Sequence, residues 1–314
     1  MYLESAQTPA TGLTHSLAER APAPRPKARV GGQVDSEYGR LEQVLLADPG
    51  HLALVPCNSV SNENIREGRE PCRDRAARQH AGLVAALEAE GVDVRLVPAD
   101  PALPDLAFTR DTSLMTPWGL LGLSPGAPHR RCEVPAVMAA ARAAGVPILG
   151  RIEQGRVEGG DVAMIRPGVL AIGVSGERTN AMGAEQLAAI YKRHGWEVIR
   201  YQLDPHFLHL DTVFCMVDRD LAIACTDVLD ERFMERIEDL GIELLPIAYK
   251  EARKLGCNLL SLGDKRVVTS GTCSRVDVDL ASRGYRSIAL DLSEFTMCGG
   301  GVHCLTMPLR RAAG

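Results

Sequence analysis

Apolar positions along the chain alternate between two rhythms. Runs with helical spacing end at a glycine, and a short apolar run follows at once, in "LEAEGVDVRLV", "RAAGVPIL", "KRHGWEVIRY", "EDLGIELLPI" and "SRGYRSIAL". The glycines are Gly91, Gly145, Gly195, Gly241 and Gly284. A helix often closes on a residue in the left-handed conformation, where a Cβ clashes, so glycine at these points marks a helix end. Successive separations of 54, 50, 46 and 43 residues make each unit a supersecondary module of similar size. Strand-like runs precede the helices in "LEQVLLADPG", "VAMIRPGVLAIGV", "TVFCMVDRDLAIACT" and "NLLSLGDKRVVTS". Within them "RPG", "DRD" and "GDK" read as hairpin turns. Each module is therefore strand–strand–helix–strand. One such unit cannot bury its faces alone, whereas five close radially into an α/β-propeller around a central channel. A doubly wound Rossmann-type sheet, the second choice, would lack the hairpins.

Composition refines this picture in three places. Of the 314 residues, 46% are hydrophobic and 24% charged, enough for a sizeable core. Aromatics are only 4%, so that core must be aliphatic. The net charge of −5 without any Lys/Arg run argues against a nucleic-acid or anionic-membrane partner. No apolar run approaches the roughly 20 residues that span a bilayer. The first 30 residues are rich in Pro, Ala, Ser and Thr and have no basic-then-apolar signal pattern. Residues 1–35 are accordingly expected to be a disordered leader, and 36–314 a single catalytic domain. The nine cysteines include no CxxC or other zinc spacing. Most read as small apolar core residues in a reducing compartment, the cytoplasm, with no metal implied. Neither GxGxxG between strand and helix nor GxxxxGK[ST] occurs, so no nucleotide cofactor is expected.

Polar residues interrupt the apolar runs in four clusters: "LPDLAFTRDTSL" (Asp105, Phe108, Arg110, Asp111), "EGGDVAMI" (Glu158, Asp161), "HLHLDTVF" (His209, Asp211) and "GGGVHC" (His303, Cys304). Each lies at the edge of a strand in a different module, and in a radial arrangement such edges converge on the axis. His209 and Asp211, two apart, share a face if extended, while adjacent His303 and Cys304 would face opposite ways in a strand. Carboxylates crowded together raise one another's pKa values unless a cation sits between them. With no metal pattern, the cation is expected to be the substrate. A guanidinium is planar, always protonated and rich in donors, which suits paired carboxylates. A cysteine adds a nucleophile and a histidine a proton shuttle.

These motifs, "FTRD", "EGGD", "HLDTVF" and "GGGVHC" followed by "MPL", resemble those of the guanidine-modifying superfamily. It comprises arginine deiminases, dimethylarginine dimethylaminohydrolases and amidinotransferases on a five-module α/β-propeller, and the resemblance covers residues 36 to 311. It implies that Cys304 is the nucleophile, His209 the general acid/base and Glu158 the carboxylate beside it. Asp111 and Asp211 would grip the guanidine nitrogens, with the ring of Phe108 nearby. Arg130 in "PHRRCE" and Arg178 in "GVSGERTN" would anchor a substrate carboxylate, the latter after a one-residue insertion. Attack by Cys304 would then give a covalent thiouronium that water hydrolyses.

The branch is set by a few positions. Asp211 resembles deiminases and amidinotransferases, because a dimethylated nitrogen has no N–H to offer it. Asp105 resembles the dimethylarginine enzymes, since deiminases carry Asn there. Asp111 speaks for one hydrolysis rather than two. The arginine that deiminases place five before the cysteine is Gly299 here, their helical insertion is absent, and "GGGVHC" itself looks most like the transferases. Hydrolysis of an arginine-like guanidine to a ureido product and ammonia is favoured, ahead of methylarginine hydrolysis and amidino transfer. The rival from another class is a non-catalytic propeller that binds partners through a flat face, which should lack the thiol, histidine and carboxylate set. The substrate is a small guanidino molecule, and a homo-oligomer is left open.

Overall fold

Fifteen strands in five three-stranded sheets make up the framework of this computed structural model, which describes residues 33–314. The strands are β1 (Leu41–Ala47), β2 (Asp93–Val97), β3 (Ser113–Thr116), β4 (Gly119–Gly122), β5 (Ile148–Arg151), β6 (Val162–Arg166), β7 (Val169–Val174), β8 (Glu197–Gln202), β9 (Phe214–Asp218), β10 (Leu221–Cys225), β11 (Glu243–Ile247), β12 (Leu260–Gly263), β13 (Arg266–Thr269), β14 (Arg286–Ala289) and β15 (Met307–Arg311). Helices α1 (Ser59–Arg66), α2 (Arg73–Ala89), α3 (Glu133–Ala143), α4 (Ala181–Lys192), α5 (Glu231–Glu238), α6 (Tyr249–Ala252), α7 (Ser274–Ser282), α8 (Ser293–Met297) and α9 (Val302–Leu305) complete it.

Four sheets are built from consecutive modules: β3–β4–β5, β6–β7–β8, β9–β10–β11 and β12–β13–β14. In each, the first two strands pair antiparallel as a hairpin. A helix then returns the chain so that the third strand lies parallel to the second. The fifth sheet, β15–β1–β2, draws its strands from both ends of the described chain, with β15 antiparallel to β1 and β1 parallel to β2. This is the five-module α/β-propeller, and its hairpins exclude the plain Rossmann-type sheet.

Burial follows position within a module. First and second strands are almost wholly buried, whereas third strands alternate between exposed and covered residues at the rim. First strands of different modules touch, as β15 does β3 and β9 does both β6 and β12, so they form the inner wall. The helices pack outside. In α2, the buried residues Ala76, Gln79, His80, Leu83 and Leu87 lie along one stripe, as a 3.6-residue period requires. Asn180 and Asp230 cap α4 and α5 through side-chain oxygens that accept the N–H groups of Gly183 and Phe233. The five helix-closing glycines all adopt φ between +77° and +82°.

Several expectations are refined. The hairpin β3–β4 turns at Pro117–Trp118, inside an apolar run that was not read as two strands; the Thr116 hydroxyl donates to the Gly119 carbonyl across it. The leader expected over residues 1–35 lies outside the described residues as far as 32, but Val34 is buried and Gln33 accepts a hydrogen bond from the Arg311 backbone. No helix among the described residues is long and apolar enough to cross a membrane.

Candidate active site

Every module contributes a polar group just before its first strand. The chain makes single 3-10 turns at Thr109–Thr112, Gly159–Asp161 and Leu210–Thr212 ahead of β3, β6 and β9. These turns touch in succession, and α9 packs on the first of them. They bring together Asp111, Glu158 with Asp161, and His209 with Asp211. Asn258 precedes β12 and Cys304 precedes β15.

Cys304 is 2% exposed and sits within a cleft that also exposes His209, Asp111 and Phe108. The cleft spans about 350 Å3, part of it open to solvent. The Cys304 Sγ lies 3.5 Å from Asp211 Oδ2 and accepts a hydrogen bond from Asn258 Nδ2 at 3.2 Å. Burial, reinforced by the negative charges of Asp211 and Asp111, pushes the thiol well above its ordinary range; Asn258 pulls the other way. His209 Nε2 meets Glu158 Oε2 at 2.5 Å, and its Nδ1 lies 3.7 Å from Asp111 Oδ1. Burial disfavours a charged ring, but Asp111, the Glu158 hydrogen bond and Asp161 outweigh it and push His209 up to about 10. Glu158 is held well below the carboxylate range: its burial is overcome by the His209 hydrogen bond and by the charges of His209, Arg178 and Arg130. Burial pushes Asp161 up to about 7, and its Oδ1 accepts the Leu210 N–H, pinning the turn that carries His209. The resting site thus holds a neutral thiol, an imidazolium and several carboxylates. Glycines allow this density. A Cβ at Gly160 would stand 2.6 Å from His209 Nδ1, and one at Gly300 2.3 Å from the ring of Phe108.

Glu158 and Asp211 do not line the cleft; they form the layer beneath it, behind His209 and Cys304. Asp211 Oδ2 is bonded to His303 Nδ1 at 2.9 Å, while its Oδ1 has no hydrogen-bond partner among the described residues. Burial opposes ionisation of Asp211, but His303 together with His209 and Arg110 holds its pKa below the ordinary value.

The residues expected at the far end of a substrate lie at the cleft wall, but in internal pairings. Arg130 is buried, with NH1 2.6 Å from Asp111 Oδ2 and its other donors on both Glu133 oxygens and the Phe108 carbonyl. Arg178 contacts Glu158 at 3.3 Å and donates to the Cys57 carbonyl. Asp105 Oδ2 meets His129 Nε2 at 2.7 Å and Cys57 Sγ at 3.8 Å. Asn58 closes the rim, donating to the Cys298 carbonyl. Among the described residues, two donor triads are close enough to hold an ion, Cys57–Asp105–His129 and Asp111–Glu158–His209.

Sequence reasoning overlooked Asn258, although its place before β12 repeats that of Asp111 before β3. It also turned His303 the wrong way. Cys304 lies in the helical turn α9 rather than a strand, so neighbours are about 100° apart instead of 180°, and His303 reaches Asp211 on the side of the Cys304 sulfur.

The family model for eukaryotic N,N dimethylarginine dimethylhydrolase matches residues 55–311. The N(G),N(G)-dimethylarginine dimethylaminohydrolase of Pseudomonas aeruginosa is 30% identical over 239 residues, 76% of this chain and 90% of that protein. An arginine deiminase of Mycobacterium marinum is 29% identical over 246 residues, 67% of this chain and 61% of that enzyme. Among solved structures, a cysteine-to-serine mutant of the Pseudomonas aeruginosa dimethylarginine dimethylaminohydrolase complexed with citrulline matches with a TM-score of 0.70 at 28% identity. That match covers 85% of this chain and 99% of the other. The shared propeller, and a family match running from the loop before α1 to the last strand, establish that this chain belongs to the N,N dimethylarginine dimethylhydrolase family of guanidine-modifying hydrolases.

Proposed function

We propose that the protein is a cysteine-dependent hydrolase of an arginine-like guanidino compound, releasing ammonia and a ureido product such as citrulline. One observation carries the reading: the Cys304 sulfur lies 3.5 Å from a buried carboxylate, Asp211, with Asp111 and His209 in the same cleft and Glu158 behind the histidine. A buried acidic set of this kind favours a cation at the sulfur, and a thiol whose ionisation burial and carboxylates oppose gives up its proton more readily when one arrives. The guanidinium binds against Asp111 and, as its carbon nears Sγ, brings its charge toward Asp211, whose Oδ2 stands 3.5 Å from that sulfur. The thiol proton leaves to solvent, and the thiolate forms the S–C bond of a tetrahedral species. His209, already an imidazolium, protonates the departing nitrogen as the C–N bond breaks, and ammonia leaves a covalent thiouronium. Neutral His209 then takes a proton from the attacking water, and collapse returns the thiolate and the ureido product. Arg178 and Arg130 would receive a substrate carboxylate by exchanging their internal partners for it.

Hydrolysis of methylated arginine is the second reading, favoured by the family match and the Pseudomonas aeruginosa relative. Asp211 counts against it, since a buried carboxylate facing N-methyl groups forfeits a hydrogen bond worth about 1–3 kcal/mol. The deciding experiment is a colorimetric ureido assay on arginine, monomethylarginine and asymmetric dimethylarginine, with and without amine acceptors. Faster turnover of the unmethylated guanidine is expected. Preference for the dimethylated compound selects the second reading, acceptor dependence selects amidino transfer, and no conversion of any guanidine leaves a binding module.

A further inference from the structure

Asp211 is itself held from behind. The His303 ring lies between two carboxylates, with Nδ1 2.9 Å from Asp211 Oδ2 and Nε2 3.5 Å from Glu37 Oε2. Glu37 comes from the segment ahead of β1, far from His303 in sequence, and its backbone N–H donates to the Met164 carbonyl of β6. The same Glu37 oxygen faces Arg110 NH1 at 3.6 Å, and Arg110 Nε donates to the His303 carbonyl. Arg311 is the other charged group nearby, fixed by the Gly39 and Ser261 carbonyls. Every member of the set is buried, and none lines the cleft. The polar groups therefore run in one chain from Arg110 through Glu37, His303 and Asp211 to the sulfur of Cys304.

We propose that Glu37 and His303 are positioning residues that hold the Asp211 carboxylate charged and turned toward the reacting centre. The ring lies between the two carboxylates, so Glu37 on its Nε2 side fixes how Nδ1 meets Asp211. The bond to His303 fixes Oδ2, and that same oxygen stands 3.5 Å from the Cys304 sulfur, so the ring sets where the carboxylate meets the reacting centre. Glu37 is retained as an anion despite its burial, chiefly by Arg110 and by the bond to His303, which hold it at about 2. A buried ion cluster of this extent is a poor way to gain stability. It is an effective way to aim a carboxylate at a sulfur that must meet a cation. The inference rests on the guanidinium reading above.

The test compares alkylation of Cys304 by neutral iodoacetamide and by the cationic 2-chloroacetamidine across pH, followed by mass spectrometry. Wild type should react faster with the cation; loss of that preference in wild type would count against the guanidinium reading itself. In Glu37→Gln the ratio of cationic to neutral rates should fall about 10-fold. In an Asp211→Asn background, Glu37→Gln should have no further effect on the ratio. A wild-type ratio in Glu37→Gln, or a loss that simply adds to that of Asp211→Asn, overturns the proposal. Should Glu37→Gln not fold, His303→Asn carries the same comparison with the same two refuting outcomes.

Discussion

Replacing Asp211 by asparagine is expected to move two rates at Cys304 in opposite directions. The carboxylate oxygen stands 3.5 Å from the sulfur. Two unit charges at that separation repel by on the order of 5 kcal/mol at an effective dielectric constant of about 20. His303, 2.9 Å from the same oxygen, cancels much of this repulsion. If only about 1 kcal/mol survives, removing the charge still raises the thiolate population about fivefold. Alkylation by neutral iodoacetamide at pH 8 should therefore quicken by about that factor or more. Turnover of a guanidine should slow by ~10–150-fold, because a charge-assisted hydrogen bond of about 1.5–3 kcal/mol is lost from the transition state. The assay is iodoacetamide labelling under pseudo-first-order conditions beside ureido formation, with the melting temperature confirming the fold. Unchanged or slower labelling would refute the electrostatic account of the thiol. Unimpaired turnover would detach Asp211 from the substrate.

Three further outcomes are expected. Gly300→Ala places a Cβ 2.3 Å from Phe108 and 3.2 Å from the Cys304 Cβ, an overpacking that costs about 1–3 kcal/mol; calorimetry should show a melting point lowered by several degrees together with weaker kcat/KM, and an unshifted melting point would mean that the ring yields freely. His209 is pushed up to about 10, so its acid form persists below that pH and disappears above it; the alkaline limb of kcat/KM should fall near pH 10, and a limb near pH 7 would show that the carboxylates do not hold the proton. Arg178→Ala should raise KM more than it lowers kcat in steady-state kinetics on arginine, and an unchanged KM would remove Arg178 from substrate binding.

The modules were legible because their punctuation is local. A glycine that closes a helix and a turn that joins two strands each depend on a few neighbouring residues, so Gly91, Gly145, Gly195, Gly241 and Gly284 marked the repeat without knowledge of the partners. The hairpin at Pro117–Trp118 escaped because both of its strands are buried, and no polar alternation separates them. Residues of the candidate site were legible where they broke an apolar run, as Asp111, Glu158, His209 and Cys304 do. What stayed hidden depends on direction and distance. His303 was misdirected by a strand period applied to a helical turn. Glu37 lies in a segment with no repeat pattern, and only the closed ring sets it against residue 303. The internal pairings of Arg130 and Asp105 likewise arise between side chains that converge only in three dimensions.

The seam between β15 and β1 has a consequence for biosynthesis. The sheet that follows Cys304 needs residues 41–47 and 93–97 from early in the chain and 307–311 from late in it. The four other sheets can pair while the nascent polypeptide is still tethered, because each draws on one continuous stretch. The blade that Cys304 precedes closes only when a late strand joins two early ones. The sulfur therefore takes its place beside Asp211 only once distant parts of the chain have met in one sheet.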